Sequence, residues 1–388
     1  MLSDVVEAPR SAVSTARFYR PELDVLRFGA FFMVLLSHTM PNGLALYEGW
    51  STSPVVRFAL DRVRATSIYG LPLFFCLSAY LIASLLLRER DLSGTISLKD
   101  FYVRRVLRIW PLYLVALLAG FIPGYADHAQ RNTAFLSFLF LAGNWYCTIY
   151  NYPLNPIAPL WSISVEEQFY LFIPVLAKRG GARMLGIAAG VLFLLCPVAL
   201  AVLVYWRAPD YAVWSNSFVQ FSSFATGLAL AVWLHLRPHR MASWGLQVLI
   251  GAAGVALLAG ASLTNRVPGP ATNWPVLVAG YSAVSVGAAI CIYAFVVKPW
   301  SPPRVLVYFG KVSYGLYVFH PWAVGVAKII SAELFPSAPA GSVVSSMSII
   351  GFSFLVVLGM ASLSYYVLES PFLRLKDRFA VVHSRPVN

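Results

Sequence analysis

The feature that most constrains this chain is a succession of long apolar runs, each near the ~20 residues that cross a hydrocarbon core as a helix. Ten stand out, at roughly 23–41, 65–87, 109–123, 157–177, 184–206, 217–236, 244–263, 274–297, 309–331 and 342–368. Within lipid every backbone polar group needs a protein partner, which leaves helices and closed barrels as spanning structures. A barrel shows short strands of alternating polarity, whereas these runs are continuous. The run 133–147 is also apolar, but it is short, and Gly143 and Asn144 weaken its end. It reads as a re-entrant or interfacial helix. The expected fold is therefore an all-α integral membrane bundle of about ten transmembrane helices. Composition agrees: 12% of residues are charged, against about 25% in a soluble domain.

The placement of charge predicts the topology. Cytoplasmic loops of membrane proteins carry an excess of lysine and arginine. With the N-terminus inside, ten crossings put 21 of the 29 basic residues on the cytoplasmic side. They include Arg10, Arg17 and Arg20, the group from Arg88 to Arg108, Lys178 to Arg183, Arg237 and Arg240, and Arg374 to Arg385. Seven, among them Arg57, Arg62, Arg64 and Arg266, fall on the other side, and Arg27 lies within the first run. A full crossing at 133–147 would move Lys178–Arg183 outside, so ten crossings with both termini cytoplasmic fit best. The net charge of +13 raises nucleic acid as a partner. Its distribution in clusters between apolar runs reads as topology instead, so membrane lipids and not nucleic acid are the expected contacts.

Residues 1–22 are polar, and no small-residue cleavage pattern follows the first run, so a cleaved signal is not expected. The expected organisation is a cytoplasmic tail over 1–22, a transmembrane domain over 23–373 and a second tail over 374–388. These tails are too short to bury a core. Cys76, Cys196 and Cys291 lie in apolar runs and Cys147 near a loop, with no CxxC or Cys/His metal spacing. Neither a disulfide nor a metal site is expected.

Ionisable side chains inside spans are costly and tend to mark function. Arg27 and His38 share the first run. Eleven residues at about 100° each make three turns plus about 20°, so both point from one face about 16 Å apart. Such a stripe suits a path from an anionic ligand near the cytoplasm to a titratable base further in. A snorkelling arginine and a histidine bonded to another helix fit the spacing as well. Glu166 and Glu167 lie mid-run but about 100° apart, so one is expected to face a site and the other a structural partner. His320, followed by Pro321, is either a polar site residue or a satisfied histidine at a kink. Glu369 ends the last run, where pairing with an arginine is expected. Arg104, Arg105 and Arg108 precede the third run. Guanidinium forks match phosphate oxygens, and the same cluster suits anionic lipid.

Taken together these segments resemble the acyltransferase-3 family. The first run carries its pattern of a basic residue, ten residues and a histidine, as Arg27 and His38 after Leu23-Asp24-Val25-Leu26. Phe74-Phe75-Cys76-Leu77-Ser78-Ala79-Tyr80-Leu81-Ile82 resembles the family's second segment, with alanine at 79 where glycine is usual and tyrosine at 80 for phenylalanine. Phe101–Pro111 resembles the arginine-x-x-arginine segment, with Arg105 and Arg108 as the pair. Trp161–Tyr170 resembles the tryptophan-serine-glutamate-tyrosine segment, with Glu166 at the acidic position. Val312–Pro321 and Ser364–Pro371 resemble the last two segments. The likeness runs in order from about residue 20 to 375.

The resemblance implies a multi-pass enzyme of the inner membrane. It would move an acyl group, acetyl by default, from cytoplasmic acyl-CoA to a hydroxyl of a glycan, lipid-linked sugar or secreted small molecule. In this reading His38 is the base or the acyl acceptor, Glu166 orients it, and Arg27 stabilises developing charge. Arg105 and Arg108, with Arg104, hold the donor. Ser78, Tyr170, His320 and Glu167 are further polar candidates, and no permanently bound cofactor is expected. Some members carry an added C-terminal esterase-like domain. None is expected here, so the group would pass directly to its acceptor. A secondary transporter or sugar-lipid flippase is the rival from another class, since ten crossings and buried charges suit it too. Neither the acceptor nor the oligomeric state is legible.

Overall fold

The computed structural model describes residues 18–121, 131–237, 243–264 and 273–382. Arg10, Arg17, Arg240, Arg266 and Arg385, with residues 1–17 of the first expected tail and 383–388 of the second, lie outside the described residues. Every described element of regular structure is helical. In chain order the helices are α1 (Pro21–Thr39), α2 (Pro54–Ser67), α3 (Gly70–Ser93), α4 (Leu98–Gly120), α5 (Arg131–Leu139), α6 (Gly143–Tyr150), α7 (Trp161–Tyr205) and α8 (Asp210–Ser215). There follow α9 (Ser217–Leu236), α10 (Trp244–Thr264), α11 (Trp274–Val297), α12 (Arg304–Lys311), α13 (Ser313–Leu334), α14 (Val343–Ser364) and α15 (Ser370–Asp377).

Among the described residues, 6 helical stretches are long and apolar enough to cross a membrane by length and composition. They are Pro54–Ser93, Ala158–Tyr205, Ser217–Leu236, Trp244–Leu263, Trp274–Val297 and Val343–Asp377. The helices of similar length outside this group are α1, α4 and α13. They carry Arg27 and His38, the arginine cluster, and His320. The polar side chains that mark a candidate site thus also lower the apolarity by which a span is recognised.

Several boundaries depart from the sequence reading for local reasons. The runs at 157–177 and 184–206 meet without a loop in α7, which breaks at Gly181 (φ 54°, ψ −139°). An L-residue disfavours that conformation and glycine does not. Arg90 secures the break: its guanidinium donates to the carbonyls of Ala177 at 2.6 Å and Lys178 at 2.9 Å. These are the carbonyls left open where the first limb ends. The run 133–147 forms two short helices, α5 and α6, parted at Leu141 (φ 57°). The ninth run divides at Val312 into α12 and α13. Helix α4 starts at Leu98, where the Ser97 hydroxyl accepts from the Asp100 backbone N–H. The arginine cluster is therefore inside a helix and not in the loop before it.

Side-chain bonds gather the helix termini into two groups. At one end, Arg90 of α3 meets mid-α7, and Arg104 of α4 meets Glu89 of α3 and the carbonyl of Phe379 beyond α15. Gln247 of α10 reaches the end of α11 there. At the other end, Trp50 donates to the Gly341 carbonyl, Thr66 bonds Ser262, and Ser331 bonds Ser348.

Helix α3 is the central post, packing on α1, α7, α9 and α11. Its approach to α9 depends on Gly227, where a Cβ would strike the Cys76 carbonyl and lie 3.1 Å from the Ala79 Cβ. The alanine at 79 is accommodated because its neighbour on α9 is glycine. Gly227→Val should lower stability by about 3 kcal/mol through overpacking, read as a clear drop in melting temperature in detergent. An unchanged melting temperature would contradict this close approach. A second apolar cluster joins α1, α13 and α14 through Phe31, Leu35, Leu316, Val324, Val357 and Ala361.

Candidate active site

The polar residues of α1, α3, α4 and α7 converge on one cavity of about 180 Å³ inside the bundle. Arg20, Arg27, Arg105 and Arg108 line it, with Glu166 as its carboxylate. Ser78, Ser162, Tyr170, Tyr314 and Tyr317 supply hydroxyls, and Leu23, Phe74, Phe75 and Ile82 supply apolar wall. Among the described residues, four guanidiniums against one carboxylate make a cationic cavity with greasy sides. That combination suits an anion carrying a long, mostly apolar chain.

Each polar group is held by its own helix or the next. Arg27 pairs with Asp24 one turn earlier on α1, at 2.5 Å, and the Tyr19 hydroxyl donates to the other oxygen of Asp24 at 2.9 Å. Asp24 is fully buried, so the pair fixes the guanidinium at the cavity wall. The hydroxyls of Ser78 and Tyr170 both donate to Oε1 of Glu166. Tyr170 lies one turn beyond Glu166 on α7, so this bond is local, whereas Ser78 comes from α3. The Arg105 guanidinium lies 5.7 Å from the centres of the Tyr170 and Phe101 rings. Arg108 stands one turn further along α4 at the same cavity.

Arg104 does not line the cavity. It is bonded to Glu89 at 2.7 Å, with side chains 12% and 4% exposed, and to the Phe379 carbonyl. Removing one partner of such a buried pair costs about 3 kcal/mol. Arg104→Ala should therefore lower the melting temperature more than Arg105→Ala does, and should change donor affinity less. The reverse order would return Arg104 to the donor site. Glu167 is also turned away: it faces Trp110 of α4 and not the cavity. Glu369 accepts from Ser364 at 3.2 Å within a π-turn, with Arg108 nearby, and makes no ion pair among the described residues.

The structure does not bring Glu166 and His38 together as the sequence reading paired them. The ring beside His38 is that of His320, with centres 5.0 Å apart. His320 is buried, its Nδ1 lies 2.6 Å from the Tyr317 carbonyl, and its Nε2 has no protein partner. A carbonyl only accepts, so Nδ1 carries the proton and Nε2 is a bare acceptor. Arg64 of α2 and Lys328 of α13 are cations close enough to act on His38, while Arg27 lines the cavity three turns away on the same helix.

Tyr317 stands between the two sites. It lines the cavity, its ring centre is 5.6 Å from that of His320, and its hydroxyl meets Ser162 at 2.6 Å and the Pro159 carbonyl at 3.1 Å. Sequence reasoning missed Ser162 and Tyr317 as site residues. Their positions held a usable signal: Ser162 precedes Glu166 by four residues and Tyr317 precedes His320 by three, so each shares a helix face with a recognised residue.

A family model described as an acyltransferase domain matches residues 20–368. A protein of Staphylococcus aureus strain MSSA476, named as a candidate O-acetyltransferase, is 26% identical over 399 residues, covering 95% of this chain and 59% of that protein. The O-acetyltransferase OatA of Staphylococcus aureus strain NCTC 8325 is 25% identical over 326 residues, covering 78% of this chain and 50% of that protein. This chain thus spans little more than half the length of these curated relatives. No solved structure matches. With the family match covering nearly all the described helices, and the apolar helices those of a multi-pass membrane protein, the chain belongs to the acyltransferase-3 family.

Proposed function

We propose that this chain is an O-acyltransferase of the inner membrane, taking an acyl group, acetyl by default, from cytoplasmic acyl-CoA to a hydroxyl acceptor across the membrane. The observation that carries the reading is that Tyr317 touches both a cationic cavity and a histidine pair. Ten crossings with both termini cytoplasmic accompany it. The two limbs of α7 then count separately, together with α1, α3, α4, α9, α10, α11, α13 and α14. Arg90, Arg104 and Lys178 meet at one end of the bundle, which supports that end as the cytoplasmic one.

Donor phosphates lie against Arg105 and Arg108, whose forks match phosphate oxygens. The acyl-bearing arm follows the cavity past Ser78, Glu166 and Tyr170 towards Tyr317. His38 takes the proton of the acceptor hydroxyl, the oxygen adds to the thioester carbonyl, and the C–S bond breaks. The CoA thiolate leaves and is protonated from His38. In a two-step variant His38 first accepts the acyl group and then yields it to the acceptor. A His38 N–H donated to the bare Nε2 of His320 would fix the tautomer, the part a carboxylate plays in a Ser-His-Asp triad. Glu166 holds the Ser78 and Tyr170 hydroxyls and offsets part of the arginine charge around the thioester.

The test is consumption of labelled acetyl-CoA by purified protein in vesicles, with cell-envelope extract as acceptor. Label appearing in a glycan or lipid-linked sugar fraction, together with free CoA, is the expected result. Transport of an intact sugar lipid with no acetyl-CoA consumed would favour the flippase reading instead.

A further inference from the structure

A second cavity, of about 510 Å³, adjoins the first and shares Phe18 and Arg20 with it. None of its other lining residues belongs to the site described above. Its volume falls within the range of roughly 300–1000 Å³ typical of small-ligand pockets. It opens at the end of the bundle where α3, α9 and α11 finish, lined by Arg88, Asp91, His235 and Pro299 among others. Tyr80 and Ser84 line it two turns and one turn before Arg88 on α3.

Its chemistry differs from that of the first cavity. Arg88 and Arg20 supply guanidiniums, and Phe18 and Tyr80 supply aromatic surface. The Arg88 guanidinium sits over the Phe18 ring at 4.2 Å from its centre, which aims a planar fork without using its N–H donors on a carboxylate. Among the described residues the one ion-pair contact of Arg20 is a long one, 3.5 Å to Glu22, against the five donors a guanidinium carries. Among the described residues Asp91 is the cavity's one carboxylate, and His235 lies 3.7 Å from it. Ser84 and Asp91 are suited to hydroxyl and amino donors. Phosphate forks, ring surface and a polar wall are what a phosphorylated purine nucleoside needs.

We infer that this second cavity binds the adenosine 3′,5′-diphosphate portion of the donor, while the first cavity takes the adjoining pantetheine-side phosphate, the arm and the thioester. The inference rests on the acyl-CoA reading proposed above. Arg20, common to both cavities, then faces the pyrophosphate that joins the two parts of the donor, together with Arg105 and Arg108 of the first cavity. The division follows the linings: the leucines, phenylalanines and Ile82 of the first cavity suit a mostly apolar arm, and the Phe18 and Tyr80 rings beside Arg88 and Arg20 suit a phosphorylated base. Arg88 contacts the 3′-phosphate side and is distant from the reacting carbonyl.

The test compares acetyl-CoA with acetyl-pantetheine, which lacks the nucleotide, in wild type and Arg88→Gln. Arg88 is exposed at the helix end, so the variant is expected to fold. The KM for acetyl-CoA should rise about tenfold, the scale of one lost charge-assisted bond. The advantage of acetyl-CoA over acetyl-pantetheine should shrink by the same factor. Adenosine 3′,5′-diphosphate, titrated by calorimetry, should bind wild type and bind the variant about tenfold more weakly. Equal KM shifts for both donors would overturn the assignment, as would binding that answers to the anionic lipid content of the vesicle and not to the nucleotide. If wild type consumes neither donor, the acyltransfer reading fails, and the nucleotide titration still decides whether the cavity is a nucleotide site.

Discussion

His38→Ala is expected to lower acetyl transfer about a thousandfold while leaving acetyl-CoA binding within about threefold, the scale of a lost general base. The structure makes this a clean substitution. His38 is exposed near the last turn of α1, and the ring beside it is that of His320. The helix end is held without its side chain, by the Met40 backbone N–H donating to the Leu36 carbonyl and the Thr39 hydroxyl donating to the Leu35 carbonyl. Transfer at wild-type rate by folded protein would remove His38 from the chemistry. Single-turnover experiments also separate the two forms of the mechanism, because an acyl-histidine intermediate would trap label on wild-type protein in the absence of acceptor.

The second large effect concerns the donor. Arg105→Ala should raise the KM for acetyl-CoA by about 10- to 100-fold with kcat within about threefold, as follows from losing a charge-assisted phosphate contact worth about 1.5–3 kcal/mol. Arg105 is one of the cavity's cations, and among the described residues it forms no ion pair. It packs on the Tyr170 ring, so Arg105→Lys separates the two roles: it keeps charge and loses the planar fork, and should recover only part of the affinity. A fall in kcat with unchanged KM would instead place Arg105 at the reacting carbonyl, the position given to Arg27 by the sequence reading.

The helical class was legible because its cause is local. Residues 244–263 offer, apart from Gln247 and Ser262, only apolar side chains and a backbone that must bond to itself in lipid, and α10 covers them. Breaks were less legible where they depend on partners far along the chain. Gly181 interrupts α7 because Arg90, 91 residues earlier, caps the open carbonyls there. The start of α4 was missed although Ser97 and Asp100 are a local capping signal. The charges that follow obscured it, because an apolarity criterion discounts a helix that turns a cationic face to a cavity.

For the site, sequence determined the chemical inventory and the face on which each residue stands relative to its neighbours on the same helix. Helical periodicity alone separates Glu166 from Glu167 and places Ser162 with Glu166. Tertiary structure decided which face looks inward: Glu166 meets Ser78 and the cavity, while Glu167 turns to Trp110. It also decided partnership across helices. Arg104 was claimed by Glu89 and left Arg105 and Arg108 to the cavity, and His38 was set beside His320 and not Glu166. The physical reason is that spacing along a helix fixes an angle about that helix's own axis, whereas the rotation and depth at which two helices pack are set by contacts such as Gly227 against Cys76, made between residues distant in the chain.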